Sequence, residues 1–310
     1  MTATTIEPVS ERGEPGRDGP ERGGLRRRIS RVLYQRPRLR LGLLLGGPLV
    51  WLLVAYIGSL VALFVTSVYH YEYDSSGLVQ HLVTSPSTTN YTRVFDTAVY
   101  RTVALRTIGA ALSVTVIDLL IALPVAFYMA KIARPLVRRA LVVAVTMPLW
   151  AGYLVKGYAW RAMLDPSGGV LHKVFGHSPG FGLSGTVVTL SYLWLPYMII
   201  PIYAGLERLP NSLLEASTDL GAKAGRTFVR VVLPQVWPSI VAGSIFTFAL
   251  TLGDFYMAQI VGGTTQFLGS IVYREFSANL PFAAAYATLP IAIMLVYLAL
   301  ARSSGALEEL

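Results

Sequence analysis

Six stretches of about 20 or more apolar residues, nearly free of charge, dominate this chain: about 41–69, 104–130, 140–160, 185–203, 239–261 and 282–301. None alternates with the period of two that an outer-membrane barrel requires. In lipid the backbone must satisfy its own hydrogen bonds, so each stretch is expected to be a helix. The third is the least regular, because Pro148 and Gly152 interrupt it. With 54% hydrophobic and 14% charged residues, an ordinary soluble domain is excluded. The fold class expected is an all-α polytopic membrane protein with six transmembrane helices.

Basic residues are retained on the cytoplasmic side of a membrane. They cluster in residues 1–40, in the loop holding Lys131, Arg134, Arg138 and Arg139, and in the loop holding Arg208, Lys223, Arg226 and Arg230. The alternate loops carry few: Arg93 and Arg101, then Lys173, then Arg274. Both termini are therefore expected inside. The net charge of +9 is a topology signal and not a nucleic-acid footprint, since no basic and aromatic run lines a plausible groove. Residues 1–40, rich in Gly, Pro, Glu and Arg, read as a disordered basic tail lying against lipid headgroups. No short apolar core and cleavage site mark a signal peptide there.

Catalytic chemistry lacks its residues. There is no cysteine, and the four histidines fall in expected outer loops without a carboxylate at ligand spacing. The nearest approach to a phosphate loop, Gly221-Ala-Lys-Ala-Gly-Arg-Thr227, has three residues between its glycines and Arg in place of the lysine. No catalytic residue, metal site or bound cofactor is expected.

Between the fourth and fifth stretches lies Glu215-Ala216-Ser217-Thr-Asp219-Leu-Gly221, then nine residues, then Val231-Val-Leu233-Pro234. Ser212-Leu-Leu-Glu215 reads as a capping box opening a short helix, Gly221 as a left-handed turn, and Thr227–Val232 as a second helix stopped at Pro234. An interfacial re-entry helix, with Glu215 only a cap, is the plain alternative. The spacing resembles the E-A-A-x3-G-x9-I-x-L-P coupling loop of the membrane subunits of binding-protein-dependent ABC importers, with Ser217 and Val231 departing from the strict pattern. The resemblance implies the type I permease fold in residues 100–303, a coupling loop over 207–234, and a bacterial cytoplasmic membrane location. It also implies ATPase contact through Glu215, Ala216, Asp219, Gly221, Leu233 and Pro234. The implied partners are an ATPase dimer that alone carries ATP and Mg, a second permease subunit, expected to be non-identical, and an extracytoplasmic solute-binding protein.

Pro148-Leu-Trp150-Ala-Gly-Tyr-Leu-Val-Lys156-Gly-Tyr158-Ala-Trp160, Leu195-Pro196-Tyr197 and Leu252-Gly-Asp254-Phe255 are similar to segments of spermidine/putrescine-type permeases. Permeases for ferric iron, phosphonates or opines share much of this framework, so the resemblance implies polyamines first and those solutes as alternatives. Intramembrane carboxylates are costly and usually functional. Asp118, near mid-membrane, is expected to be a buried carboxylate hydrogen-bonded to neighbouring helices or protonated by desolvation, with a pathway role as its alternative. Asp254, nearer the outer side and kept near water by Tyr256, is expected to face the path. Trp150, Tyr158, Trp160 and Tyr197 read equally as interface anchors or as a cation–π lining. An ion-coupled secondary transporter would need inverted repeats or broken helices, which the sequence does not display.

Overall fold

Hydrophobic segments of this length leave the backbone no partner but itself, and in a computed structural model the chain is helical nearly throughout. The structure describes residues 37–73 and 80–305, so the expected tail, up to residue 36, lies outside the described residues. The chain divides after Leu60 into two units. Helix α1 (Pro37–Ser67) begins a few residues before the expected boundary at 41 and runs on through Pro48 and across the unit boundary.

The second unit is built around three helices: α3 (Ala98–Phe127, extended by a π turn, Tyr128–Ile132), α7 (Leu183–Arg208) and α10 (Leu233–Leu252). In lipid no hydrophobic force drives helices together, so close backbone approach through small residues must do so. Ala110, Ala111, Ala122 and Ala126 of α3 are buried, and at Gly243 of α10 an added Cβ would lie 2.9 Å from Met198 Sδ on α7. Hydroxyls buried between the helices turn back onto their own turns: Thr107 donates to the Val103 carbonyl, Thr115 to Ala111, Thr189 to Gly185 and Thr247 to Gly243. One core cluster, with Met129, Ile202, Leu206 and Val236, lies toward the α3–α7 loop ends. Another, with Phe248, Phe282 and Tyr286, joins α10 to α13 (Leu280–Ser303).

Two of the six expected spans are broken, contrary to the sequence reading. The third divides into α4 (Pro135–Trp150) and α5 (Tyr153–Leu164), bent by 96° at Ala151 and Gly152, both in extended conformation. Lys156 Nζ donates to the Pro148 carbonyl at 3.2 Å, satisfying one acceptor that the break releases. The fifth ends at Leu252, and α11 (Tyr256–Val261) starts anew after Gly253-Asp254. Among the described residues five helices are long and apolar enough to cross a membrane, six if the bent pair counts as one span.

Outside these helices the chain is more ordered than loops alone would be. Residues expected as a connecting loop form an antiparallel hairpin, β1 (His70–Tyr73) and β2 (Gln80–Val83), with His70 opposite Val83. After it comes α2 (Thr89–Asp96), whose Arg93 guanidinium lies 4.2 Å from the Phe282 ring centre. Short helices α6 (Val170–Phe175) and α12 (Leu268–Ala278) occupy the other two loops on that side.

Candidate coupling and pathway sites

Leu209 and Pro210 are extended, and α8 (Asn211–Asp219) follows. The expected capping box does not form: Pro210, not Ser212, holds the cap position, and no side chain caps the helix. At the far end the expected turn is present. Gly221 has φ +76°, its N–H donates to the Thr218 carbonyl at 2.8 Å, and the Ala222 N–H donates to Ser217 at 3.1 Å. This pairing of a 6→1 and a 5→2 bond closes the helix while reversing the chain, and only glycine adopts the needed φ cheaply.

The returning arm, α9 (Ala224–Thr227), leads through a π turn at Phe228–Val232 directly into α10. Pro234 therefore does not stop a helix, as expected from sequence, but sits in the first turn of a long one. In the π turn the Leu233 N–H bonds back to the Phe228 carbonyl, and this one-residue shift of the ladder makes room for a residue with no N–H. The two arms are tied by Ser217 Oγ and Thr227 Oγ1 at 2.8 Å, so the Ser217 departure from the strict pattern has a structural use.

Packing decides what this hairpin of helices displays. Leu214 and Phe228 turn inward onto the core, whereas Glu215, Ala216, Asp219 and Gly221 are exposed and Leu220 is 88% exposed. Glu215 and Asp219 have no ion pair among the described residues. The arrangement offers an apolar knob beside two unpaired carboxylates, which suits a protein surface more than water. Leu233 is half-buried in the core and Pro234 is exposed on α10, so these two belong to the hairpin's foundation and not to its tip.

One contributor escaped the sequence reading. Lys131, counted only as a topology charge, donates from Nζ to the Leu209 carbonyl at 2.5 Å and to Asn211 Oδ1 at 3.1 Å. It thus fastens the end of α3 to the start of α8. Hydrogen bonds from a charged donor contribute about 1.5–3 kcal/mol each. Lys131→Met is expected to speed amide exchange in Leu213–Ala216 about tenfold while membrane insertion is unchanged, one factor of ten being about 1.4 kcal/mol. Unchanged exchange would show that the clamp contributes nothing.

The pathway candidates fall into separate places. Asp254, 6% exposed, is not near water in this chain, contrary to expectation. Its Oδ1 accepts from the Met257 N–H at 2.9 Å, starting α11, and its Oδ2 accepts from the Tyr153 hydroxyl. Tyr153 stacks on Trp194 with ring centres 6.0 Å apart and meets Tyr256 edge-on at 6.4 Å, and Trp194 meets Tyr197 edge-on at 5.9 Å. A buried carboxylate at the head of a run of four linked aromatic rings, with no ion pair among the described residues, is a setting suited to a cation. Tyr153 and Trp194 were not singled out from sequence. Their signal was available: Tyr153 follows the Ala-Gly break, and Trp194 precedes Tyr197 by three positions on one helix face.

Other candidates do not join this cluster. Trp150 is 91% exposed at the α4–α5 corner, Tyr158 is exposed, and Trp160 packs on Tyr192 at 5.3 Å. Asp118 is fully buried, and neither of its oxygens has a hydrogen-bond partner among the described residues. The Ser191 hydroxyl of α7, buried and without another partner, lies within reach of the carboxyl, so a bond from a neighbouring helix, as expected from sequence, is open to it.

Comparison with known proteins gives these shapes a lineage. Residues 97–306 match the family model of the binding-protein-dependent transport system inner membrane component. The chain is 38% identical over 311 residues to the inner membrane ABC transporter permease protein YdcU of Escherichia coli K12, covering 94% of this chain and 97% of that one. It is 36% identical over 207 residues to the spermidine/putrescine transport system permease protein PotB of Haemophilus influenzae (63% of this chain, 71% of the relative). The fold is similar to that of a bacterial ABC transporter involved in the import of the acidic polysaccharide alginate, at a TM-score of 0.63 and 16% identity over 89% of this chain and 98% of the other. It is also similar to the MetNI methionine ABC transporter, at 0.51 and 19% over 67% and 96%. With five candidate spans among the described residues, six if the bent pair is one, a fold similar to those transporters and a family match over the whole three-helix core, the chain belongs to the inner-membrane permeases of binding-protein-dependent ABC importers.

Proposed function

We propose that this permease imports small organic cations of the polyamine class, driven by a separate ATPase. The observation that carries the reading is Asp254, a carboxylate without a basic partner among the described residues, bonded by Tyr153, whose ring meets Trp194 and Tyr256 and through Trp194 reaches Tyr197. A cation moving through a low-dielectric passage needs such compensation. Relatives named as spermidine/putrescine permeases support the same class. Fold supports no solute, since a similar fold serves an alginate importer.

In this reading the exposed Glu215, Ala216, Asp219, Leu220 and Gly221 dock onto an ATPase dimer in the cytoplasm, and Leu233 and Pro234 root the loop in α10. ATP and Mg are held by that dimer; this chain binds neither. A non-identical second permease completes the pathway, and an external solute-binding protein delivers the solute. The aromatic cluster forms the lining beside Asp254, with Trp150, Tyr158 and Trp160 as peripheral or anchoring residues and Asp118 as an internal carboxylate off the path.

Cells deprived of their own polyamine uptake and given this permease with its neighbouring ATPase, permease and receptor genes are expected to accumulate labelled spermidine or putrescine in an energy-dependent way. A membrane-impermeant reagent is expected to label a cysteine at exposed Thr88 in intact cells, and one at exposed Lys223 only after lysis. An assembled complex that takes up neither polyamine would overturn the solute class. Outside labelling at Lys223 would overturn the orientation and the docking together.

A further inference from the structure

At the loop ends of α4 and α7 lies a cavity of about 490 Å³ that neither the coupling hairpin nor the aromatic cluster uses. Arg138, Arg139 and Glu207 line its charged side, and Tyr203, Val142 and Val143 complete the lining. Arg138 is fixed in place, with Nε donating to the Met129 carbonyl at 3.1 Å and Nη2 to Ala130 at 3.0 Å. Glu207 is paired in charge with Arg138 at 3.7 Å and accepts a hydrogen bond from the Tyr203 hydroxyl at 3.0 Å. Arg139 is exposed and has no partner among the described residues. The cavity therefore holds one uncompensated guanidinium, a group whose fork matches a phosphate.

The helix period places an apolar strip below that charge. Val142 and Val143 stand three and four residues after Arg139, on one face of α4 and one turn deeper along it. Val142 is partly packed against the core, whereas Val143 is 64% exposed, so the outer side of this strip is open along the spanning helix. A charged side at the helix end over an apolar floor toward the membrane centre repeats the profile of a phospholipid. We propose that the cavity binds an anionic membrane lipid, its phosphodiester on Arg139 and its acyl chain along Val142 and Val143. A free phosphate would have no use for the floor. This inference does not depend on the solute.

The test uses the assembled transporter in nanodiscs of phosphatidylglycerol or phosphatidylcholine, with lipids retained after detergent extraction counted by native mass spectrometry. The wild-type complex should hold phosphatidylglycerol at one more site per copy of this chain than an Arg139→Gln complex. Retention should fall about fivefold in that variant, as expected for one interfacial charge. Val143→Trp, which blocks the floor and leaves the charge, should lower it comparably. Equal retention of the two lipids, or no change in either variant, would overturn the proposal. So would displacement of the lipid by millimolar glycerol 3-phosphate, which would identify a soluble-anion site. A disulfide forming readily between a cysteine at Val143 and a partner subunit would assign the cavity to protein contact and overturn it as well.

Discussion

Gly221→Val is expected to abolish ATP-driven uptake while all the spanning helices remain inserted. At φ +76° a side chain is strained whatever space surrounds it, by about 1 kcal/mol or more, and a β-branched one suffers most. Nothing lies within 4 Å of a Cβ built at this position, so the strain is confined to the backbone of the turn and does not disturb the core. The chain can relieve it only by giving up the bonds from Gly221 N–H to Thr218 and from Ala222 N–H to Ser217. That change would swing Leu220 and the exposed carboxylates of α8 away from their presented arrangement. A graded series sharpens the expectation: Gly221→Asn, which tolerates the left-handed region, should keep part of the uptake, Gly221→Ala less, and Gly221→Val none. The measurements are co-purification with the ATPase and uptake into vesicles. A valine variant that retains its ATPase and transports at the wild-type rate would remove this loop from the coupling path.

Why the turn was legible and other features were not has a physical basis. Hydropathy reports what must avoid water, so α3, α7 and α13 stand where their apolar stretches lie, each running a few residues beyond them into the loops. It does not report where a backbone ladder ends. Gly253-Asp254 sits inside an unbroken apolar stretch, yet Asp254 abandons the helix of α10 to start that of α11. A glycine followed by a good capping residue was the available signal. The capping box at Ser212 failed because a proline two residues earlier had already set the helix start one position ahead of it. Pro234 misled for the opposite reason: a π turn, which has no sequence mark of its own, carries the helix past it. Gly221 was legible because a positive φ is a demand of single-residue scale. The aromatic cluster was not, because Tyr153, Trp194 and Asp254 come from three distant segments and only the packing of α5, α7 and α11 brings them together.

Asp254→Asn is expected to lower uptake of a cationic solute by about tenfold or more, equivalent to about 1.4 kcal/mol, while complex assembly persists. The variant separates two duties of this side chain. As the acceptor for the Met257 N–H, Asp254 starts α11, and asparagine serves that role about as well as aspartate. With Oδ1 still accepting from Met257, the amide NH2 faces Tyr153 and donates to its hydroxyl oxygen, so the volume and both contacts are kept, one bond reverses direction, and the charge is lost. Asp254→Ala removes the charge and both bonds, and should add about 1 kcal/mol of lost capping, visible as a lower yield of assembled complex. Receptor-stimulated ATP hydrolysis distinguishes a blocked path from a broken machine: in the asparagine variant it should continue while uptake fails. If assembly and hydrolysis fail together with uptake even in that variant, Asp254 is an internal brace between α5 and α11. If uptake of spermidine is unchanged, the carboxylate lies off the path, and selectivity would then have to be exercised before the solute reaches this subunit.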